Sequence, residues 1–237
     1  MSDGIYTAVS GAIARQVHLD TVSHNLANVE TPGYRARSVR FEELLVDRAT
    51  GMSQVQVKND DIDLSPGISE GTENPFDVAI EGDGFFTVDT GAGVGLTRAG
   101  RFRADDQGNL VTLEGYKVLN PNGQPVMVPP NSDFYVDDTG NVWDDIGIVD
   151  QLNLVSLTEG STLTPMGPST FKLAKGGTEA SSATVRQGFI ERANVNPVES
   201  MTELITLQRH FDAMQKLIQT FSTIDSRAAR DLGSITG

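Results

Sequence analysis

Asn196-Pro197-Val198-Glu199 opens a stretch in which Leu204, Leu207, Phe211, Met214, Ile218, Phe221, Asp225, Ala228, Leu232 and Ile235 recur at alternating spacings of three and four. The opening reads as a helix start: an asparagine to cap, a proline at the first helical position, and a carboxylate two residues on, near the positive end of the helix dipole. The stripe that follows is the narrow seam of a coiled coil rather than the wider apolar face of a helix lying on a sheet. Asp225 is its one polar member. A helix of roughly thirty-six residues, to Leu232, spans about 54 Å.

The other end of the chain repeats the pattern. From Asp3 to Val29, the residues Ile5, Ala12, Leu19 and Leu26 recur at a spacing of seven, with Ala8, Val22 and Val29 in a companion row that Arg15 interrupts. Thr31-Pro32-Gly33-Tyr34 stops this helix. Pro32 disfavours the helical state at Thr31, and Gly33 supplies a turn. The ten prolines lie between positions 32 and 197, so both ends are free to be helical and the middle is not.

That middle reads as short strands: 77–80, 84–88, 115–119, 126–128, 152–157, 170–173 and 184–190. Asp83-Gly84, Gly108-Asn109, Asn122-Gly123 and Gly140-Asn141 punctuate them as hairpin turns. Phe41 to Ala49 is predicted as a short helix and Asn59 to Asn74 as an extended linker. The expected architecture is α+β, with long terminal helices pairing as a coiled-coil-like core around a central all-β domain. Its expected parts are an N-terminal helix over 1–34, a linker over 35–75, a β-rich outer domain over 76–192 and a C-terminal helix over 193–237.

Composition narrows the function. A net charge of −14, from 18 basic and 32 acidic residues, opposes phosphate backbones and anionic lipid, so nucleic acid is not expected as a partner. No apolar run reaches the length of a membrane span, so membrane insertion is not expected, and the N-terminus lacks the pattern of a cleaved secretory signal. The absence of cysteine excludes disulfides, thiolate metal sites and cysteine nucleophiles.

Each chemical motif has a plainer reading. Gly67-Ile68-Ser69-Glu70-Gly71 matches the nucleophile-elbow pattern, but Pro66 precedes it and Asn74-Pro75 follows where a helix is required. Residues 103–114 resemble a calcium loop, with Asp105, Gly108 and Glu114 in place and Arg103 where the first carboxylate belongs; a hairpin turn fits better. Gly91-Ala92-Gly93-Val94-Gly95 leads into no helix, so it reads as a hairpin tip. Asp60, Asp61 and Asp63, and Asp137, Asp138, Asp144 and Asp145, read as solvated loop charge rather than a cation site. His18 and His24 cannot share a helix face; Asn25 and Asn28 can satisfy backbone groups at the helix end or bond a neighbour. No catalytic, cofactor or metal site is expected. A periplasmic hydrolase or binding module using Ser69 or the acidic loops stands as the competing class.

Ser23-His24-Asn25-Leu26-Ala27-Asn28-Val29-Glu30-Thr31-Pro32-Gly33-Tyr34 resembles the N-terminal signature of the bacterial flagellar axial proteins, the rod and hook family. Residues 77–88, 96–119 and 193–201 agree with it, the last through Asn194, Asn196 and Pro197. Ile5-Tyr6-Thr7-Ala8, the Thr31-Pro32-Gly33 turn and Pro197 look most like its proximal-rod members, with the distal-rod members the close competitor. The resemblance implies a subunit of the periplasmic drive shaft, exported unfolded through the flagellar type III apparatus without a cleaved signal, with neighbouring copies and other rod proteins as partners. It also implies that the helices form the inner tube. The residues expected at the assembly interface are Ile5, Ala12, Leu19, Leu26, Leu204, Leu207, Phe211, Met214, Ile218, Phe221, Ala228 and Leu232. Helices with such narrow seams are expected to be ordered by their neighbours.

Overall fold

The computed structural model describes residues 2–47, 52–129 and 134–235; the side chains of 2–7, 42–60, 225, 228–229 and 231–235 lie outside the description. The chain divides into two compact units. One gathers 1–27, 37–63 and 196–237, the other 28–36 and 64–195.

The first unit holds helix α1 (Ser2–Ala27), strands β1 (Arg37–Asp47) and β2 (Met52–Ile62), and helix α2 (Pro197–Ile235). Asn196 caps α2 as its sequence predicts: its side-chain oxygen accepts from the amides of Val198 at 3.1 Å and Glu199 at 3.4 Å. α1 touches α2 and both strands. Gly11 lies against Met214 and His18 against Glu203, so the two helices run antiparallel.

They do not form the long coiled-coil core expected from the stripes. α1 has 26 residues and α2 has 39, and on this register α1 runs out near Phe221. Around Met214 the face of α1 is built from small residues, Gly11, Ala12 and Ala14, while Ile13 stands exposed, and Val22 is the one larger apolar side chain buried among the described residues of the helix, so the row of large buried knobs of a heptad seam is missing. The antiparallel β1–β2 hairpin supplies the rest of the cover. This hairpin also corrects the short helix expected at Phe41–Ala49: the backbone is strand through Asp47, and residues 48–49 lie outside the description. Two helices with a strand-rich middle are present; the coiled coil is not.

In the second unit an antiparallel sheet runs in the order Thr162–Pro165, Thr170–Lys175, Val94–Thr97, Phe85–Asp89, Lys117–Val118, Leu110–Thr112, Phe102–Ala104, with Leu154–Leu157 pairing both Phe85–Asp89 and Thr178–Ala180. Smaller antiparallel groups join Val78–Glu81 to Thr184–Gln187, Ser69–Gly71 to Phe189–Glu191, and Tyr135–Val136 through Asn141–Trp143 to Ile148–Gln151. The stretch 126–128, expected as a strand, is tied in only by isolated bridges at Pro125 and Met127. Val78, Phe86, Val88, Phe102, Val118, Val126 and Val142 lead the core, with Phe86 edge-on to Phe102 at 5.2 Å.

One turn recurs three times. Asp105, Asn120 and Asp137 each accept, through a side-chain oxygen, the amides two and four residues on, at 2.8–3.0 Å. Three residues after each stands a glycine with positive φ, Gly108, Gly123 and Gly140, where a side chain would be strained. Asp137 also accepts from the Thr139 hydroxyl, the Asn141 side chain and Trp143 Nε1. Burial alone would raise its pKa; the donors from Asn141, Thr139 and Trp143 outweigh that and hold the carboxyl well below the ordinary range. For Asp105 the side chain of Asn109 leads the downward shift. These carboxylates satisfy backbone amides, the role of a hairpin turn.

Candidate assembly surface and the clasp behind the N-terminal motif

In the first unit a groove of about 670 Å³ runs between the helices, lined among others by Arg15, His18, Glu199, Glu203, Leu207 and His210. His18 Nε2 and Glu203 Oε1 are 3.1 Å apart across it, and the His18 ring meets Phe41 edge-on at 5.8 Å. Arg15, which interrupts the stripe, faces this groove. No group of three His, Cys, Asp or Glu side chains that could hold a metal ion occurs among the described residues.

Of the twelve stripe residues, Ala12 and Leu207 are buried, and Leu19, Leu26, Leu204, Phe211, Met214 and Ile218 are half-buried. Phe221 is exposed. The side chains of Ile5, Ala228 and Leu232, like that of Asp225, lie outside the description. The stripe therefore fades where α1 ends. Sequence reading missed the further apolar residues on α2. Val198, Met201 and Ile205 are exposed on the side of the helix roughly opposite Leu207, and Leu217 and Ile224 are exposed with Phe221 further along. Their spacing of three and four was the available signal.

The motif residues carry local structure. Asn25, at the end of α1, pairs with the Arg37 backbone, accepting from its amide at 2.9 Å and donating to its carbonyl at 2.8 Å, as a strand neighbour would. Leu26 and Ala27 complete the helix. The Thr31 amide donates to the Asn28 carbonyl at 3.0 Å, which closes the turn that Pro32 enforces. Gly33 has a φ of +67°, and a side chain there would meet the Ala99 backbone at 2.2 Å, so two independent constraints require glycine.

In the second unit Tyr34 and Asn194, far apart in sequence, come together. The Asn194 side chain accepts from the Ala36 amide at 2.6 Å and donates to the Ser65 carbonyl at 3.0 Å, while its own amide donates to the Tyr34 carbonyl. Beneath them lies an ionic clasp that the sequence did not reveal. Glu191 meets Arg35 at 2.7 Å through Oε1 and Arg98 at 3.0 Å through Oε2, and it accepts from the Gly67 amide at 2.7 Å. All three side chains are nearly inaccessible, at 0%, 4% and 3% for Arg35, Arg98 and Glu191. Arg98 also donates to the Ile80 and Gly82 carbonyls and lies over the Phe85 ring at 5.5 Å. Burial lowers its pKa, with Glu191 opposing. Asn196 and Pro197 serve as cap and first helical residue of α2.

The motifs weighed for other chemistry have structural roles. Ser69 lies on an exposed strand paired with Phe189–Glu191, outside the strand-turn-helix setting of a nucleophile elbow. The 91–95 glycines form a hairpin tip closed by Thr90 and Gly93. Asp61 pairs with Arg40 on the hairpin, and the side chain of Asp60 lies outside the description.

Three family models match the chain: "Flagella basal body rod protein" over residues 5–35, "Flagellar hook protein FlgE/F/G D1 domain" over 79–144, and "Flagellar basal body rod FlgEFG protein C-terminal" over 186–231. The chain is 35% identical to the flagellar basal-body rod protein FlgF of Mesorhizobium japonicum over 242 residues, covering 99% of each chain. It is 31% identical to FlgF of Rhizobium meliloti, covering 98% of this chain and 99% of the relative. It is 30% identical to the rod protein FlgG of Bacillus subtilis, covering 94% and 97%.

Proposed function

The chain belongs to the flagellar basal-body rod protein family, and we propose that it is a subunit of the proximal rod that polymerises through its terminal helices. The observation that carries this mechanism is the distribution of apolar side chains on α2. One face lies toward α1, while Val198, Met201, Ile205, Leu217, Phe221 and Ile224 remain exposed on a single helix. A helix apolar on more than one side is built for more neighbours than one chain supplies. Head-to-tail contacts that do not close on themselves generate a helical tube, and helices locked along its axis transmit torque. The tube stands in the periplasm, and its subunits reach it through the flagellar type III apparatus. The protein works by assembly rather than catalysis, its partners being further copies and other rod subunits.

The test uses exposed positions, so that folding and assembly separate. Ile205→Asp and Phe221→Asp should leave the circular dichroism and thermal midpoint of the purified chain nearly unchanged while abolishing incorporation into isolated basal bodies and motility. Normal motility in both variants would overturn the mechanism. The similarity to a FlgG protein favours a second placement, in the distal rod. Isolated basal bodies from a strain lacking the gene distinguish the two: loss of the whole rod beyond its base indicates the proximal position, and a retained proximal segment the distal one.

A further inference from the structure

The three-stranded sheet of the second unit has one face in the core and one in water. Val136 and Val142 point inward and are buried. Their neighbours Tyr135 and Trp143 are paired across the strands and stack with ring centres 5.9 Å apart and planes 7° apart, and Ile148 pairs with Trp143 on the same side. Tyr135 is 52% exposed and Ile148 57%. Ile146, at the turn beside them, is 95% exposed. That turn is ordered: the Asp144 carboxylate accepts from the amides of Ile146 at 2.8 Å and Gly147 at 2.9 Å, and the Asp144 amide donates to the Gly147 carbonyl at 3.0 Å. An isoleucine fixed in water beside a stacked aromatic pair exposes apolar area at a standing cost. It also carries little ordering entropy to lose on contact, the condition under which a few side chains dominate an interface.

Charge selects the occupant. Between Lys117 and Lys172 the sequence contains six aspartates and one glutamate and no lysine, arginine or histidine. Asp144 and Asp145 immediately precede Ile146. A partner of net negative charge, including a second copy of this chain at −14, meets repulsion here, whereas a basic surface is drawn in. We infer that this outward sheet face docks a basic surface of a different protein, one that presents apolar side chains to Tyr135, Trp143, Ile146 and Ile148 and lysine or arginine to the surrounding carboxylates.

Trp143 is the chain's only tryptophan, so its emission reports the face directly. The purified full-length chain is titrated with three capped hexapeptides, alternating Lys and Leu, Lys and Ser, and Glu and Leu. The expected result is a blue shift with the Lys/Leu peptide alone, weakened about tenfold by Ile146→Ser and again by Asp145→Lys, both exposed positions outside the core. Equal binding of the Lys/Ser peptide would reduce the site to charge, and equal binding of the Glu/Leu peptide would reduce it to stickiness; either overturns the inference. So does the absence of any shift, or a shift that follows protein concentration without peptide, which would make the occupant a second copy. In cells, a photo-crosslinking residue at position 146 should give one adduct to a different protein, mapped beside lysines or arginines. No adduct, or an adduct to this chain itself, overturns it.

Discussion

At the scale of single residues, Glu191 joins three segments of the second unit, through Arg35, Arg98 and the Gly67 amide. It is the one carboxylate between two inaccessible guanidinium groups, and removing its charge leaves Arg35 and Arg98 buried beside each other. Glu191→Gln should therefore destabilise this unit by about 3–5 kcal/mol in chemical denaturation, in the range for breaking a buried ion pair from one side. The Asp137 turn behaves differently with pH. Its folded pKa lies below the unfolded value, so its contribution is present at neutral pH and is lost as pH falls below the ordinary carboxylate range. Asp137→Ala should cost about 2 kcal/mol at pH 7, with the gap from the parent protein narrowing as pH falls toward 3. Thermal melts at pH 7, 5 and 3 measure both. The turn was legible in the sequence, because Gly140-Asn141 marks the backbone conformation that the aspartate then caps. The clasp was not: Arg35, Arg98 and Glu191 carry no spacing that announces a meeting across such separations, and a lone charge in a strand reads as solvent-facing.

At the scale of elements, the two helices follow from their stripes, and their ends follow from Asn196-Pro197 and Pro32-Gly33. Their pairing does not. The heptad-like rows fit a coiled coil, but the register of Gly11 on Met214 and His18 on Glu203 exhausts α1 before α2 is half-way beyond Ile218, and α1 meets Met214 through small residues. The hairpin was misread for a related reason. Phe41-Glu42-Glu43-Leu44-Leu45 places apolar residues three and four apart, a helical pattern, and what makes β1 a strand is its partner β2, a tertiary fact absent from the local window. Amide exchange should resolve this geometry on the purified chain. Protection is expected in α2 from Thr202 to Ile218, where α1 lies alongside, and fast exchange from Ser222 onward, where α1 has ended. Uniform protection to Ile235 would show that α2 finds cover within one molecule, and would remove the reason for assigning its far turns to assembly.

At the scale of the whole molecule, exposed apolar side chains sit on a chain whose net charge of −14 repels copies of itself. The two terms respond oppositely to ionic strength, since salt screens the repulsion and leaves apolar contact intact. Self-association should accordingly strengthen between about 0.05 and 0.5 M salt, where the Debye length falls from roughly 14 Å to 4 Å. Sedimentation velocity across that series checks it, and weaker association at high salt would mean that ion pairs rather than apolar faces join the copies.

The helical unit is discontinuous along the chain: α1 lies near one end and α2 begins at Pro197. During synthesis from the amino end at about 5–20 residues per second, α1 waits on the order of ten to thirty seconds before its partner helix exists. A lone α1 is marginal in water, with its hydrogen bonds made and its apolar side wet. Separation along the chain thus acts as a clock. The first unit is the last part of the molecule to become foldable, because α1 gains its full cover only once α2 has been made.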